Sequence, residues 1–176
     1  MNEIIGRLIE ALAFCIGGHP MCQGMTPNPN ASAAAYQSQI VYARDAYDPQ
    51  AYAFDDLQRA RLMADFYERR ILLVVGGDWC AWCYILEDFL ADDDEARAEF
   101  AESFVIMKVH YSTDEPNEEF LSAYPEIPGY PHFFVFDADG RVLHSQDTLE
   151  LEDGGDSYDP AAMAAFAREW RAPAEP

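Results

Sequence analysis

The sequence predicts an α/β fold, a central mixed β-sheet flanked by helices on both faces, and three observations carry that prediction. Three short apolar runs, 71–75 (ILLVV), 104–111 (FVIMKVHY) and 132–136 (HFFVF), have the length and continuity of strands covered on both faces. Stretches with helical periodicity stand between and around them. The third run is followed by Asp139-Gly140 and a further short strand, a hairpin, which makes the sheet mixed rather than wholly parallel.

The elements follow in chain order. Residues 3–16 (EIIGRLIEALAFCI) place apolar side chains at 4, 5, 8, 9, 12 and 16, a helical period. Glu3 stands at the head of this segment, with Arg7 and Glu10 inside it, so it lacks the basic start and unbroken apolar centre of a signal peptide. Phe14 is too bulky for the residue before a lipidated cysteine, and Ala31-Ser32-Ala33 lies too far downstream for a cleavage site. The segment reads as a docking amphipathic helix. The default expectation is a cytoplasmic chain, with the bacterial periplasm as the alternative. Residues 17–35 are dense in Gly, Pro, Asn and Ser and read as a linker. Residues 36–54 carry Tyr36, Tyr42, Tyr47, Tyr52 and Phe54, and read as an arm that packs its aromatics onto the domain or as a partner-binding strip. The expected division is therefore 1–54, an N-terminal helix, linker and aromatic arm, and 55–176, the folded domain.

Residues 55–70 (DDLQRARLMADFYERR) open on acids and close on Arg, as the helix dipole prefers, with Leu57, Ala60, Met63 or Ala64, and Tyr67 on one face. Gly76-Gly77-Asp78-Trp79 breaks the strand that follows. Residues 80–90 then read as a helix with Trp82 or Cys83, Leu86, Phe89 and Leu90 toward the core, and 92–102 extend it or start another. Residues 116–124 form a short helix with Pro near its first turn. Residues 141–145 return the hairpin. Asp159 caps a last helix running to 171, with Pro160 at its first position.

Composition excludes several functions. The 176 residues hold 32 Asp and Glu against 11 Lys and Arg, a net charge of -21. A nucleic-acid binder needs a basic face to displace counterions, and an anionic membrane would repel this chain. No apolar run approaches the roughly 20 residues of a membrane span. Four cysteines in a chain of this length do not staple a miniprotein. Their spacing matters more, because two of them form Cys80-Ala-Trp-Cys83.

Cys80 sits where a buried strand gives way to a helix. Residues at i and i+3 on one turn are close enough to form a disulfide. Unpaired N–H groups and the helix dipole favour a thiolate at that end, and the thiolate is the nucleophile. Cys80 is thus the attacking thiol and Cys83, deeper in the helix, the resolving one.

From these residues the chain resembles the thioredoxin superfamily over about 55–171. The resemblance rests on VVGGDWCAWC, on Ile127-Pro128-Gly129-Tyr130-Pro131 ahead of HFFVF, and on the final hairpin and helix. It is most similar to small bacterial thioredoxin-like proteins with a Trp-Cys-x-Trp-Cys site, related to domains that pass electrons to extracytoplasmic disulfides. It implies a thioredoxin-like fold and a thiol–disulfide oxidoreductase acting on protein disulfides. No cofactor is expected beyond the redox-active disulfide Cys80–Cys83. The partners implied are protein thiols or disulfides and an upstream electron donor. In the family, a Gly-x-Pro at this place supplies a cis-proline beside the dithiol, and the adjoining backbone pairs with the substrate's extended chain. That carries substrate binding to Gly129, Tyr130, Pro131 and His132.

The departures shape the site. Thioredoxins keep a buried acid six residues ahead of the first Cys, and here that position is Val74. Asp78 is the nearest acid and should point outward. The family's lysine in the next strand corresponds to Lys108, the only lysine of the chain. Its stem either fills space or its cation favours the thiolate from beneath. Ala81-Trp82 carries no His between the cysteines, which favours a reductant. Trp79 precedes the dithiol and Trp82 lies between its cysteines, and both are expected to tune it with Asp78 and Lys108. Tyr130 either gates substrate entry or covers the disulfide.

Two other readings compete. One is a redox-linked binding or chaperone-like module that uses the same groove without turnover. The other is a metal site joining Cys15, His19 and Cys22 to the dithiol, whose spacings fit no zinc module, so no metal is expected. Cys15 and Cys22 read as buried thiols, or as a disulfide if the protein leaves the cytoplasm. His110 shares a strand face with Lys108, His132 follows the proline and is a candidate to tune the dithiol, and His144 lies in the hairpin. The acidic runs at 92–95, 114–119 and 147–159 read as solvated faces.

Overall fold

Strand β2 (Arg70–Gly76) lies in the middle of the sheet, and its sequence shows why. Every residue from Ile71 to Gly76 is buried, so neither face of this strand can meet water. The computed structural model describes residues 39–112 and 117–173, and the helix and linker expected at 3–35 lie outside them. The sheet order is β1-β3-β2-β4-β5, with β1 (Val41–Arg44), β3 (Phe104–His110), β4 (His132–Phe136) and β5 (Val142–Asp147). β1, β3 and β2 run parallel. β4 runs antiparallel to β2, and β5 antiparallel to β4, so the sheet is mixed.

Helices cover both faces. Helix α1 (Ala53–Tyr67) and the short α4 (Asn117–Leu121) pack Ala60, Ala64, Phe120 and Leu121 against Ile71, Leu73, Val75, Met107 and Phe134. The opposite face of Leu72, Val74, Ile106, Phe133 and Val135 receives α2 (Ala81–Asp92), α3 (Asp94–Ser103) and α5 (Pro160–Glu169). Alternation along each strand separates the two cores, because successive side chains leave the sheet on opposite sides.

Local chemistry sets the ends of the elements. Helix α1 stops at Glu68, whose left-handed backbone (φ 56°) lets its N–H reach the Asp65 carbonyl before the chain turns into β2. The stretch 92–102 does not extend the preceding helix. Asp93 leaves helical geometry, and its carboxylate accepts a hydrogen bond from the Ala96 N–H at 2.7 Å, so α3 starts afresh. Asp159 caps α5 by accepting from the Ala162 N–H at 2.9 Å, with Pro160 in the first turn.

The aromatic arm contains more structure than its sequence announces. Val41–Arg44, inside the segment 36–54, is the edge strand of the sheet. It is fastened to α1 by a buried carboxylate: Arg44 donates to Asp56 at 2.8 and 2.9 Å, and Arg59 stands 3.4 Å from the same group. Tyr47, past the end of β1, is buried among the residues of the α2 face. A 3-10 turn, Thr148–Leu151, after β5 also goes beyond the sequence expectation.

Candidate functional site

The site begins where β2 ends. Gly76 and Gly77 follow the strand, and both are needed because of what crowds them. A Cβ on Gly76 would collide with the Sγ of Cys83 and lie 3.2 Å from the Tyr47 hydroxyl. A Cβ on Gly77 would collide with the Trp79 indole. The chain then reaches Cys80, which is the N-cap of α2.

Cys80 and Cys83 are joined in a disulfide with their Cα atoms 5.3 Å apart. The Cys80 Sγ accepts a hydrogen bond from the Cys83 N–H at 3.2 Å. The same N–H also donates to the Cys80 carbonyl at 3.1 Å, so this first-turn donor is shared between the carbonyl and the atom that bears charge on reduction. Cys80 is 4% exposed and Cys83 1%, so the outer sulfur belongs to Cys80 and the inner one to Cys83.

An aromatic wall stands over the outer side. Trp79, 55% exposed, donates its indole N–H to the Tyr111 carbonyl at 3.1 Å and meets the Tyr130 ring edge to face at 5.1 Å. Tyr130 stacks on Tyr111 at 5.1 Å. The Tyr130–Pro131 peptide is cis, and Pro131 is buried, its carbonyl accepting from the Thr148 hydroxyl at 2.5 Å. Desolvation, then hydrogen bonding to Tyr111, pushes the Tyr130 phenol well above its ordinary value, so it stays neutral. Trp82 turns inward and packs edge to face on Tyr158 at 5.5 Å. Asp78 is exposed, and its carbonyl accepts from the Tyr84 hydroxyl at 3.1 Å.

The inner side opens on a cavity of about 150 Å³ lined by Cys83, Tyr47, Lys108, Glu87 and Asp78, with Asp45 at its edge. The Lys108 side chain is 11% exposed, and its ammonium is paired with Glu87 at 2.5 Å. It also stands 5.4 Å over the Tyr47 ring and 5.7 Å over Tyr42. Lys108 therefore lines the same cavity as Cys83, with its ammonium paired to a carboxylate. A larger surface groove of about 410 Å³ runs along α2 past Asp88, Asp92 and Asp156, and no cysteine lines it.

The structure brings Asp78, Trp79, Cys80, Cys83, Lys108 and Tyr130 together at one end of the sheet. His132 is placed differently. It pairs with Val75 across the sheet, lies 4.7 Å from the Phe134 ring, and its Nε2 meets the Ser145 hydroxyl at 2.9 Å. Those neighbours belong to the α1 face, opposite the dithiol, and burial lowers the His132 pKa so that the ring is neutral. Gly129 lies near Asp147, 3.9 Å from where a Cβ would sit. Cys15, His19 and Cys22 lie outside the described residues, among which no group of three or more His, Cys, Asp or Glu is arranged to hold a metal. No helix among the described residues is long and apolar enough to cross a membrane.

Tyr47, Glu87 and Tyr111 are site residues that the sequence did not single out. Glu87 had a signal, since it lies four residues after Cys83 and shares its helix face. Tyr47 had only its aromatic character.

Comparison with known proteins agrees with this architecture. The chain superposes on a disulphide isomerase from Xylella fastidiosa Temecula1 with a TM-score of 0.57 at 22% identity, covering 70% of this chain and 94% of that one. It superposes on the oxidised C-terminal domain of DsbD from Neisseria meningitidis with a TM-score of 0.52 at 15% identity, covering 72% and 100%. At these identities the likeness concerns the fold. No curated protein sequence matches the chain. A family model described as thioredoxin-like matches residues 50–138, spanning α1 to β4 and the whole Cys80–Cys83 turn, and the chain belongs to this thioredoxin-like family.

Proposed function

We propose that this protein is a thiol–disulfide oxidoreductase that reduces disulfides of other proteins through Cys80 and Cys83. The observation that carries the proposal is the disulfide at the start of α2, with a backbone N–H directed at the Cys80 sulfur. In the dithiol state the Cys80 thiolate attacks one sulfur of a substrate disulfide. A Cys80–substrate bond forms, and the substrate's other sulfur leaves as a thiolate and takes up a proton. The Cys83 thiol then loses its proton and attacks the Cys80 sulfur. The Cys80–Cys83 bond closes, and the second substrate thiol departs. Two electrons pass to the substrate, and an upstream dithiol donor restores them. Val74 offers no base for the Cys83 proton, and the Glu87 carboxylate across the inner cavity is the base that lines its exit.

Reduction of insulin by dithiothreitol, with and without the protein, tests this. The wild-type chain should accelerate it, and Cys80→Ser should abolish the acceleration. Cys83→Ser should accumulate a mixed disulfide through Cys80. No acceleration and no trapped species would remove the reading and leave a binding module without turnover. The reduction potential of the pair, set against glutathione, reads the direction of transfer.

A further inference from the structure

We infer that Tyr47, which precedes the stretch matched by the family model, is a positioning residue for the resolving thiol: its hydroxyl hydrogen-bonds the Cys83 sulfur once the disulfide opens. The inference deepens the proposed function and rests on it for its biological meaning.

The geometry comes from Gly76. A Cβ at that position would meet the Cys83 Sγ and, at 3.2 and 3.3 Å, the hydroxyl and ring edge of Tyr47. The sulfur and the phenol thus occupy the same side of one glycine, in the space a side chain would otherwise take. Both line the inner cavity, and both belong to one buried cluster. Tyr47 is 7% exposed, so its ring is fixed by packing and its hydroxyl has few directions open to it. The phenol is a donor only while neutral. Desolvation, then the Glu87 charge, holds it far above its ordinary pKa.

The other charged and titratable groups facing this pocket are Lys108, Glu87, Asp78, Asp45, Tyr42, Tyr84 and Tyr158, with His110 paired to Gly76 on the adjoining strand; the Tyr84 and Tyr158 hydroxyls are engaged with the Asp78 and Trp82 carbonyls. Lys108 is paired with Glu87 and lies over the Tyr47 ring. Carboxylates and carbonyls cannot donate to a thiolate. Strand β2 presents Val74 to this cluster, which offers only a methyl surface. The polar contact comes instead from Tyr47, which follows edge strand β1. The Arg44–Asp56 bond that ties β1 to α1 therefore also fixes the approach of Tyr47.

A hydrogen bond to a charged group stabilises it enough to shift an ionisation about tenfold. The experiment titrates Cys83 by thiolate ultraviolet absorbance in a Cys80→Ser background, with and without Tyr47→Phe, which keeps the ring and removes the hydroxyl. The acid constant of Cys83 should fall about tenfold in the Tyr47→Phe chain, while Tyr42→Phe leaves it unchanged. In the chain with both cysteines, Tyr47→Phe should resolve a preformed mixed disulfide about tenfold more slowly near neutral pH. An unchanged Cys83 titration overturns the proposal, as does an equal shift from Tyr42→Phe. A measurement with Tyr47 intact guards against a folding defect: in Cys80→Ser the ring-carbon resonance of Tyr47 should move along the Cys83 titration, and a resonance that ignores it counts against the contact. None of these readouts needs turnover, so failure in the insulin assay and failure here remain distinct.

Discussion

Lys108 and Glu87 show how a local field can be assembled beside a dithiol in a strongly acidic protein. The net charge of -21 opposes a thiolate everywhere on average, so activation has to be local. One ammonium with its side chain 11% exposed, in the cavity that Cys83 lines, counts for more than exposed arginines, because screening is weak there. Its effect is divided with Glu87. Lys108→Met removes the cation and leaves the carboxylate unpaired in the cavity, so the Cys80 pKa should rise by about one unit. Glu87→Gln should move it the other way. Alkylation rate against pH reads both, and an unmoved Cys80 in Lys108→Met would leave the lysine only its packing role. Lys108 was legible in the sequence because it is the sole lysine and interrupts an apolar strand. Glu87 was one acid among 32, and only its spacing from Cys83 distinguished it. The placement of His132 was not legible. Its neighbourhood to the proline in sequence says nothing about the strand alternation that sends its side chain to the opposite face.

Among the elements, the edge strand β1 was the hardest to see. Four residues, Val41–Arg44, give a strand only two positions on each face, and in this one only Ala43 is buried. That is too short for a period-two pattern to register, and the Tyr and Asp around it read as loop. The buried strands β2, β3 and β4 are the opposite case, because continuous burial leaves an uninterrupted apolar run. What holds β1 is a polar contact: Asp56, 2% exposed, pairs with Arg44 and Arg59. Breaking a buried pair leaves the partner's charge poorly solvated. Arg44 retains some contact with water, so Asp56→Ala should cost about 2 kcal/mol, below the range for fully buried pairs. Chemical denaturation measures the loss. A stability equal to wild type would mean that the strand is held by its ladder to β3 alone. The boundary between α2 and α3 belongs to the same scale, since a single capping aspartate decides it.

For the whole molecule, the sequence showed the class of fold, the mixed sheet and the dithiol turn, because each depends on short-range pattern. The division of the interior into two cores follows from alternation along the strands. The inner cavity does not, because it joins residue 47 of the segment after β1 to residues 87 of α2 and 108 of β3, which only tertiary packing brings together. Charge acts at this scale as well. Among the described residues most ion pairs are exposed, such as Arg168 with Glu95 and Arg141 with Asp139, and contribute little singly. Repulsion among the surplus carboxylates is the larger effect. Raising sodium chloride from about 0.01 M to about 0.5 M shortens the Debye length several-fold and should raise the thermal unfolding midpoint. A midpoint that falls with salt would show that the ion pairs outweigh the repulsion.

The single lysine has a practical meaning for chemistry done on this protein. Reagents that seek side-chain amines have one address in the whole sequence, and in the folded state that address is ion-paired with Glu87 behind the dithiol. The one lysine side chain is thereby placed in the cavity of the site. An acyl group placed on Lys108 would sit in the cavity that the inner sulfur lines and would report on access to the back of the disulfide.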